Sequence, residues 1–383
     1  MASLFFWAGE ILALLALLGA GYALAAAFLT GRFMREEAAG TSAYPAVTIL
    51  KPLHLGEPGL SENLESFLAQ DYPGPVQVVF GVHDQNDPAI QIVKALQARY
   101  PDRDTVIVAD GALHGSNGKV SNLINMLPAA RHDVLVLSDS DITVSPRWLR
   151  QVTDALAAPG VGAVTCLYTG EVARGGRGMW STLSAMGTSY DFLPNVVLGI
   201  SLGLAQPCMG STIALSRAML DEIGGFMAFA DYLADDYEIG RAVRARGYRL
   251  AIPAMGVGHT ATEASARDLF RHELRWTRTI RIVNPLGHLG SVVTFGFPIA
   301  LIAAILLDFS WFSLVVLALT LTARLFLKRR IDSIFGTHAG PSWFLPARDL
   351  LSFAVFVTSQ FGETVHWRDT RFSVETSGAM AQS

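Results

Sequence analysis

The run His132-Asp133-Val134-Leu135-Val136-Leu137-Ser138-Asp139-Ser140-Asp141 decides how this chain is read. Its apolar middle reads as a buried β-strand that opens directly onto polar residues. Carboxylates at i and i+2 leave a pleated backbone on the same side, near enough to share one divalent cation. Two carboxylates alone leave coordination positions open, which suits a diphosphate better than a closed structural cage. Surface turns also produce Asp-x-Asp triplets, so the weight of this one rests on its surroundings.

Those surroundings are strands alternating with helices. Val47-Thr48-Ile49-Leu50, then 76–82, 105–109 and 133–137 read as strands. Residues 60–68 place Leu60, Leu64, Phe67 and Leu68 at helical spacing, and 88–99 turns Ile92, Val93 and Leu96 inward. Such alternation predicts an α/β domain with a parallel sheet covered by helices. Ligands of these sheets bind outside the carboxyl ends of the strands, where Asp84, Asp87, Asp139 and Asp141 are predicted to lie. No Walker motif and no Gly-x-Gly-x-x-Gly opens the first helix, which disfavours a dinucleotide enzyme. Gly-x-Ser-x-Gly and His-Glu-x-x-His are absent too, which disfavours the corresponding hydrolases.

The 383 residues are 51% hydrophobic and only 16% charged, with mean hydropathy +0.36 and net charge -4. Without a basic excess, no nucleic-acid partner is expected. Cys166 and Cys208 lack metal-ligand spacing and read as two buried free thiols. The apolar excess sits at the ends. Residues 11–29 are an unbroken apolar run of about 19 residues, enough to cross a bilayer core. Arg32 and Arg35 follow it, which predicts that the chain beyond lies in the cytoplasm. Residues 289–307 and 309–327, parted by Asp308 and closed by Lys328-Arg329-Arg330, read as a transmembrane hairpin with Pro298 inside its first limb. For 344–361, with Arg348 and Asp349 near its start, a full span and an interfacial helix both stand. The expected organisation is an anchor and linker (1–43), a cytoplasmic catalytic domain (44–264), an amphipathic interface helix (265–288), the hairpin (289–330), and a third membrane-associated segment with a tail (331–383).

Other clusters carry chemistry. Asp87 precedes Pro88, so it reads as a helix start or as a ligand contact. Asp235 and Asp236 favour a helix amino terminus, and like-charge repulsion between them can raise one toward the range a base needs. Gly115-Ser116-Asn117-Gly118-Lys119 reads as a surface turn or as a phosphate loop ending in a cation. Arg267, Arg271, Arg275, Arg278 and Arg281 make one helical stripe, suited to lipid headgroups or, through one or two members, to a diphosphate. His259 reads as a loop histidine or a third metal ligand, and 179–210 as the lining of an acceptor site.

Taken together, Lys51-Pro52-Leu53, Asn63-Leu64-Glu65, Asp71-Tyr72-Pro73 and Asp87-Pro88-Ala89-Ile90 resemble the nucleotide-binding half of the ceramide glucosyltransferase family. That family is lipid-directed and has the glycosyltransferase-A (nucleotide-diphospho-sugar transferase) fold, with a mainly parallel mixed sheet. The resemblance runs from about residue 45 to 373. It implies Asp87, Asp139 and Asp236 as the family's three aspartates, the last within Ala228-Phe229-Ala230-Asp231-Tyr232-Leu233-Ala234-Asp235-Asp236-Tyr237. Arg275-Trp276 resembles the end of the Gln/Arg-x-x-Arg-Trp motif, with His272 standing at its first position. Trp367-Arg368-x-x-Arg371-Phe372 resembles the carboxy-terminal motif. The segments 119–125 and 271–281 are most similar to a bacterial branch associated with hopanoid biosynthesis.

The resemblance implies an inverting hexosyltransferase of the bacterial inner membrane, multi-pass, taking a UDP-sugar (UDP-N-acetylglucosamine or UDP-glucose) to a lipid hydroxyl, with a hopanoid polyol favoured over ceramide. Asp139 and Asp141 are then expected to hold Mg2+ or Mn2+, and Asp236 to be the base. Pro52, Asp84, Asp87, Lys119, Arg275 and Trp276 are expected to contact the donor. Two readings of other kinds stand beside it: a membrane protein that binds a sugar nucleotide or lipid without turnover, and a polysaccharide synthase. Three or four membrane segments are few for an export channel. The oligomeric state is left open.

Overall fold

The computed structural model describes residues 2–35, 43–173, 178–362, 364–367, 370–374 and 380–382. The chain forms two compact units: a sheet unit of 36–177, 206–262 and the last six residues, and a helical unit of 1–35, 178–205 and 263–377.

In the sheet unit, β1 (Val47–Pro52), β2 (Val76–Val82), β3 (Asp104–Ala109) and β4 (Val134–Leu137) are parallel. They belong to a seven-stranded sheet, completed by β6 (Val161–Thr165), β8 (Ile213–Ser216) and β9 (Arg249–Ala251), in the order β3-β2-β1-β4-β8-β6-β9. Strand β8 runs antiparallel to β4 and β6, so the sheet is mixed but mainly parallel. A second sheet joins β5 (Ile142–Thr143), β10 (Gly256–Ala261) and β7 (Leu167–Val172) in the order β5-β10-β7.

Strand β4 is buried on both faces, with Val136 on one and Leu135 and Leu137 on the other. Leu135 and Leu137 share a core with Leu50, Val79, Leu123, Met126, Ile239 and Val243. The helix Gly118–Met126 lies so close on β2 that a Cβ at Gly81 would collide with Met126 and Asn122, so only glycine allows this approach. Because β1, β2 and β4 are parallel, Pro52, Asp84, Asp87 and Asp139 follow strand ends on one edge of the sheet.

The helical unit contains two helices long and apolar enough to cross a membrane, within Leu4–Phe33 and Trp311–Phe335. Small residues let the first of them pack closely on the helix Gly296–Leu306: a Cβ at Gly19 would meet the Gly296 backbone at 2.6 Å. The expected first limb of a hairpin is not one straight helix. It is a pair, Pro285–Thr294 and Gly296–Leu306, bent by 63°. Pro298 lies in the first turn of the second helix, where its missing N–H costs nothing and its ring opposes continuation from upstream. The segment expected at 344–361 contains the 15-residue helix Leu345–Ser359, about 22 Å long.

Charges inside this unit are paired. Arg324 grips Asp349 through Nε and Nη2 and also donates from Nη2 to Asp191 Oδ1, 2.6 Å away. Its Nη1 reaches the Tyr190 carbonyl, within the π-turn Thr188–Phe192, at 2.9 Å. Arg348 holds Glu273 through both Nη atoms, at 2.5 and 2.7 Å. Two members of the arginine stripe cap the helix Leu345–Ser359: Arg278 donates to the Phe361 carbonyl, and Arg281 to those of Gln360 and Gly362. Residues 364–367 and 370–374 pair antiparallel. Arg368 of the expected carboxy-terminal motif lies outside the described residues.

Candidate active site

Gly210 marks where distant parts of the sheet unit meet. A Cβ there would lie 3.1 Å from Asp139 Oδ2, 3.3 Å from Asp236 Oδ2 and 3.3 Å from Lys119 Nζ. Three elements bring these groups together. Asp139 follows β4. Asp236 lies in the first turn of the helix Asp235–Ala245, where the helix dipole favours carboxylates. Lys119 lies in the first turn of the helix Gly118–Met126. The backbone at 209–210 is fixed by Thr165, whose hydroxyl bonds both the carbonyl and the N–H of Met209 at 2.9 Å.

Asp236 accepts from the Gly210 N–H at 2.8 Å and from its neighbour Tyr237 N–H at 2.7 Å. Burial first, then the adjacent Asp235 charge, pushes its carboxyl up to about 6. That is the poise of a general base working near neutral pH. Lys119 bridges Asp139 at 2.7 Å and Asp235 at 3.4 Å. Burial pulls its ammonium down, but Asp139, Asp235 and Asp236 outweigh it, so the lysine stays charged. Burial and Asp141 raise Asp139 against the pull of Lys119.

The loop Gly115-Ser116-Asn117-Gly118-Lys119 has a different use from a phosphate cradle. Ser116 N–H donates to Asp231 Oδ1 and Asn117 N–H to the Ala230 carbonyl, each at 2.8 Å. The Asn117 amide then donates to the Tyr232 carbonyl at 2.8 Å and to Asp235 at 3.4 Å. Glycine is needed at 115 because a Cβ would strike the Ala230 carbonyl oxygen at 2.5 Å. The loop therefore docks the segment carrying Asp235 and Asp236, and its cation rather than its amides faces the carboxylates.

Asp141 stands beside His259, whose Nε2 is 3.3 Å from Asp141 Oδ2, and the Thr260 N–H holds the Asp141 carbonyl at 2.7 Å. Asp139 and Asp141 offer two hard oxygen donors with room for more ligands, the donor chemistry of an open magnesium or manganese site. Among the described residues, no three His, Cys, Asp or Glu side chains gather closely enough to enclose a metal by themselves.

Of the other expected residues, Pro52 ends β1 and Asp84 is exposed. Asp84 Oδ1 accepts from the Asn86 N–H at 2.8 Å. Asp87 is buried, with Oδ2 accepting from Leu55 N–H at 2.9 Å and Oδ1 from Ala89 N–H at 2.8 Å. It thus fixes the helix start and holds Leu55 at φ 61. Arg275 and Trp276 belong to the helical unit, on the helix Ala266–Val283. There the Trp276 ring meets His272 edge-on at 4.5 Å, and His272 Nδ1 pairs with Glu263 at 2.5 Å.

Two residues, Lys51 and Tyr168, have no role in the sequence reading, and Gly210 enters it only as the end of the expected acceptor lining 179–210. Gly210 carries no chemical signal at all. Lys51, fully buried in β1, donates to the Asp139 carbonyl and lies 3.7 Å over the Phe67 ring. Burial brings its amine down to about 7, against the opposing pull of Asp139 and Asp141. A lone charge in an otherwise apolar strand was the available signal. Tyr168 of β7 lies 5.7 Å from the His259 ring, and burial followed by the Asp236 charge lifts its phenol well above the usual range.

Comparisons with known proteins bear on the family and the fold. The family model described as Glycosyl transferase family 21 matches residues 11–380. Ceramide glucosyltransferase 1 of Caenorhabditis elegans is 26% identical over 362 residues, covering 88% of this chain and 74% of the relative. A ceramide glucosyltransferase of Candida albicans is 35% identical over 118 residues, 28% of this chain and 22% of its own. Among solved structures, the mannosyltransferase PcManGT from Pyrobaculum calidifontis, in complex with GDP-Man and Mn2+, superposes with TM-score 0.53 at 20% identity. It covers 92% of this chain and 99% of its own, a likeness of fold.

Proposed function

The chain belongs to glycosyl transferase family 21, and on that premise we propose that it transfers a hexose from a UDP-sugar to a lipid hydroxyl with inversion at the anomeric carbon. It is a glycosyltransferase, which removes the reading of a binding protein without turnover. The observation that carries the proposal is the meeting of Asp139, Asp236 and Lys119 around Gly210.

In this reading Asp236 takes the proton of the acceptor hydroxyl as its oxygen bonds to the anomeric carbon, while the bond from that carbon to the diphosphate breaks in line. Lys119 moves its charge from Asp139 and Asp235 to the departing diphosphate, supplying a preorganised cation without solvent reorganisation. A Mg2+ or Mn2+ ion held by Asp139 and Asp141 would neutralise further negative charge on that leaving group. Pro52, Asp84 and Asp87 serve the nucleoside side. With both its oxygens bonded to backbone, Asp87 acts through the backbone around Leu55. For Arg275 and Trp276 a donor role rests on the resemblance of their motif alone.

The two long apolar helices are read as membrane anchors, with the sheet unit on the cytoplasmic side of a bacterial inner membrane. That side is supported by Arg32 in the last turn of the first helix, Arg35 just after it, and Lys328-Arg329-Arg330 within the other. A hopanoid polyol is the favoured acceptor. Ceramide is the second reading, favoured by the ceramide glucosyltransferase relative that spans 88% of the chain. Purified protein incubated with UDP-glucose or UDP-N-acetylglucosamine and with each lipid should release UDP only with the true pair, and mass spectrometry identifies the product. Absence of any glycolipid across the panel refutes the reading.

A further inference from the structure

The helix Leu193–Ser201 ends in a Schellman turn: Gly203 N–H bonds the Ile200 carbonyl at 3.0 Å, and Leu204 N–H bonds the Gly199 carbonyl at 2.8 Å. Gly203 takes the left-handed conformation this turn requires, with φ 69. In such turns the residue after the glycine commonly packs back on the third residue from the helix end. Here that residue is Gly199, which has no side chain to receive it. Leu204 is accordingly 74% exposed, and Leu202 beside it 56%.

Two further facts say what covers this tip. Residues 192–216 contain no Asp, Glu, Lys or Arg, so nothing in the stretch opposes leaving water. The same helix is bonded to one of the two candidate membrane spans, through Tyr22 Oη donating to Asn195 Oδ1 at 2.5 Å. That span presents Leu14, Leu18 and Phe28 outward, each more than half exposed. The turn preceding the helix is clamped by Arg324 through Asp191 and the Tyr190 carbonyl. The tip is thus an apolar projection at one end of a helix whose other end is bonded to a candidate membrane span.

We propose that residues 201–204 insert into the lipid surface as a lip, and that a lipid acceptor leaves the bilayer there. Five residues of chain lie between Leu204 and Gly210. The lipid contact stands by itself; the delivery of acceptor rests on the lipid-acceptor reading above.

The test places a nitroxide at Leu204→Cys in the full chain, reconstituted in phosphatidylcholine–phosphatidylglycerol bilayers. Cys166 and Cys208 are buried, so labelling falls on the introduced thiol. Collision with a water-soluble nickel chelate should be about fivefold weaker than at Leu113→Cys and close to that at Leu14→Cys. Collision equal to that at Leu113→Cys overturns the lip. The double variant Leu202→Ser/Leu204→Ser should raise the KM for a long-chain acceptor in bilayers about tenfold, with the donor KM and turnover of a short-chain soluble acceptor unchanged. A label shielded by lipid together with an unmoved acceptor KM overturns delivery. Absence of transfer to any lipid by the wild-type chain refutes the acceptor reading and leaves the label result to decide the lip.

Discussion

Replacing Gly210 by Ala tests whether three groups from distant parts of the chain share one reaction space. Gly210 is not among the glycines with positive φ, so an alanine keeps the backbone without strain. Its methyl carbon would stand 3.1 Å from Asp139 Oδ2, 3.3 Å from Asp236 Oδ2 and 3.3 Å from Lys119 Nζ. Each of these atoms is the end of a side chain and can give a few tenths of an ångström. The stability cost is therefore about 1 kcal/mol, the low end for overpacking. The chemical cost is larger, because the methyl occupies the face on which carboxylate, base and cation converge. Displacing reacting groups by this much should lower kcat/KM about 100-fold, close to 2.7 kcal/mol of transition-state stabilisation. UDP release with the identified lipid gives kcat/KM, and thermal unfolding in detergent gives the stability. A Gly210→Ala enzyme with wild-type turnover would show that the three groups do not act on one bound substrate.

Asp236→Asn should abolish transfer while UDP still binds, and residual turnover above about 1% would remove Asp236 as the base. In the wild type the base must be ionised, so log kcat/KM should fall with unit slope as pH drops through about 6 and stay flat above it. A limb near pH 4 would contradict the raised carboxyl. Glu273→Gln breaks the paired grip of Arg348 and should lower the stability of the helical unit by about 3 kcal/mol, with UDP affinity unchanged; a thermal shift near zero would refute the internal role of that pair. Chelation of divalent cations should weaken UDP binding itself at least tenfold, measured by calorimetry, and equal affinity in chelator would contradict the charge argument below.

Much of the sheet unit was legible because its signals are local. The runs 76–82 and 60–68 appear as the strand Val76–Val82 and the helix Leu60–Leu68, each fixed by its own periodicity and by turn residues at its ends. The parallel edge followed from strand–helix alternation, and with it the neighbourhood of Asp139 and Asp84. The second sheet was not legible, since β5 is two residues long and pairs with β10 more than a hundred residues away. Nor was the grouping of 178–205 with the helical unit, which depends on Arg324 meeting Asp191. The bend before Gly296 was missed because hydropathy over 289–307 is continuous, and only Pro298 hinted at a break. The role of Gly210 was invisible for the opposite reason: it is to be absent from a space that three other side chains define.

The charges of the site explain why its carboxylates need company. Asp139, Asp141, Asp235 and Asp236 stand against Lys119 and a Lys51 whose amine titrates at about 7. The cluster therefore gathers more carboxylates than cations before any substrate arrives. A diphosphate brings further negative charge. Two like charges 4 Å apart repel by about 4 kcal/mol at an effective dielectric of 20, so the donor cannot approach unless cations accumulate first. Lys119 alone cannot supply them, because its ammonium is already shared between Asp139 and Asp235. Burial first, and then this surplus through the Asp235 charge, lifts Asp236 toward neutrality. A divalent ion at Asp139 and Asp141 would thus offset the same carboxylate surplus that, after burial, contributes to the raised carboxyl of Asp236.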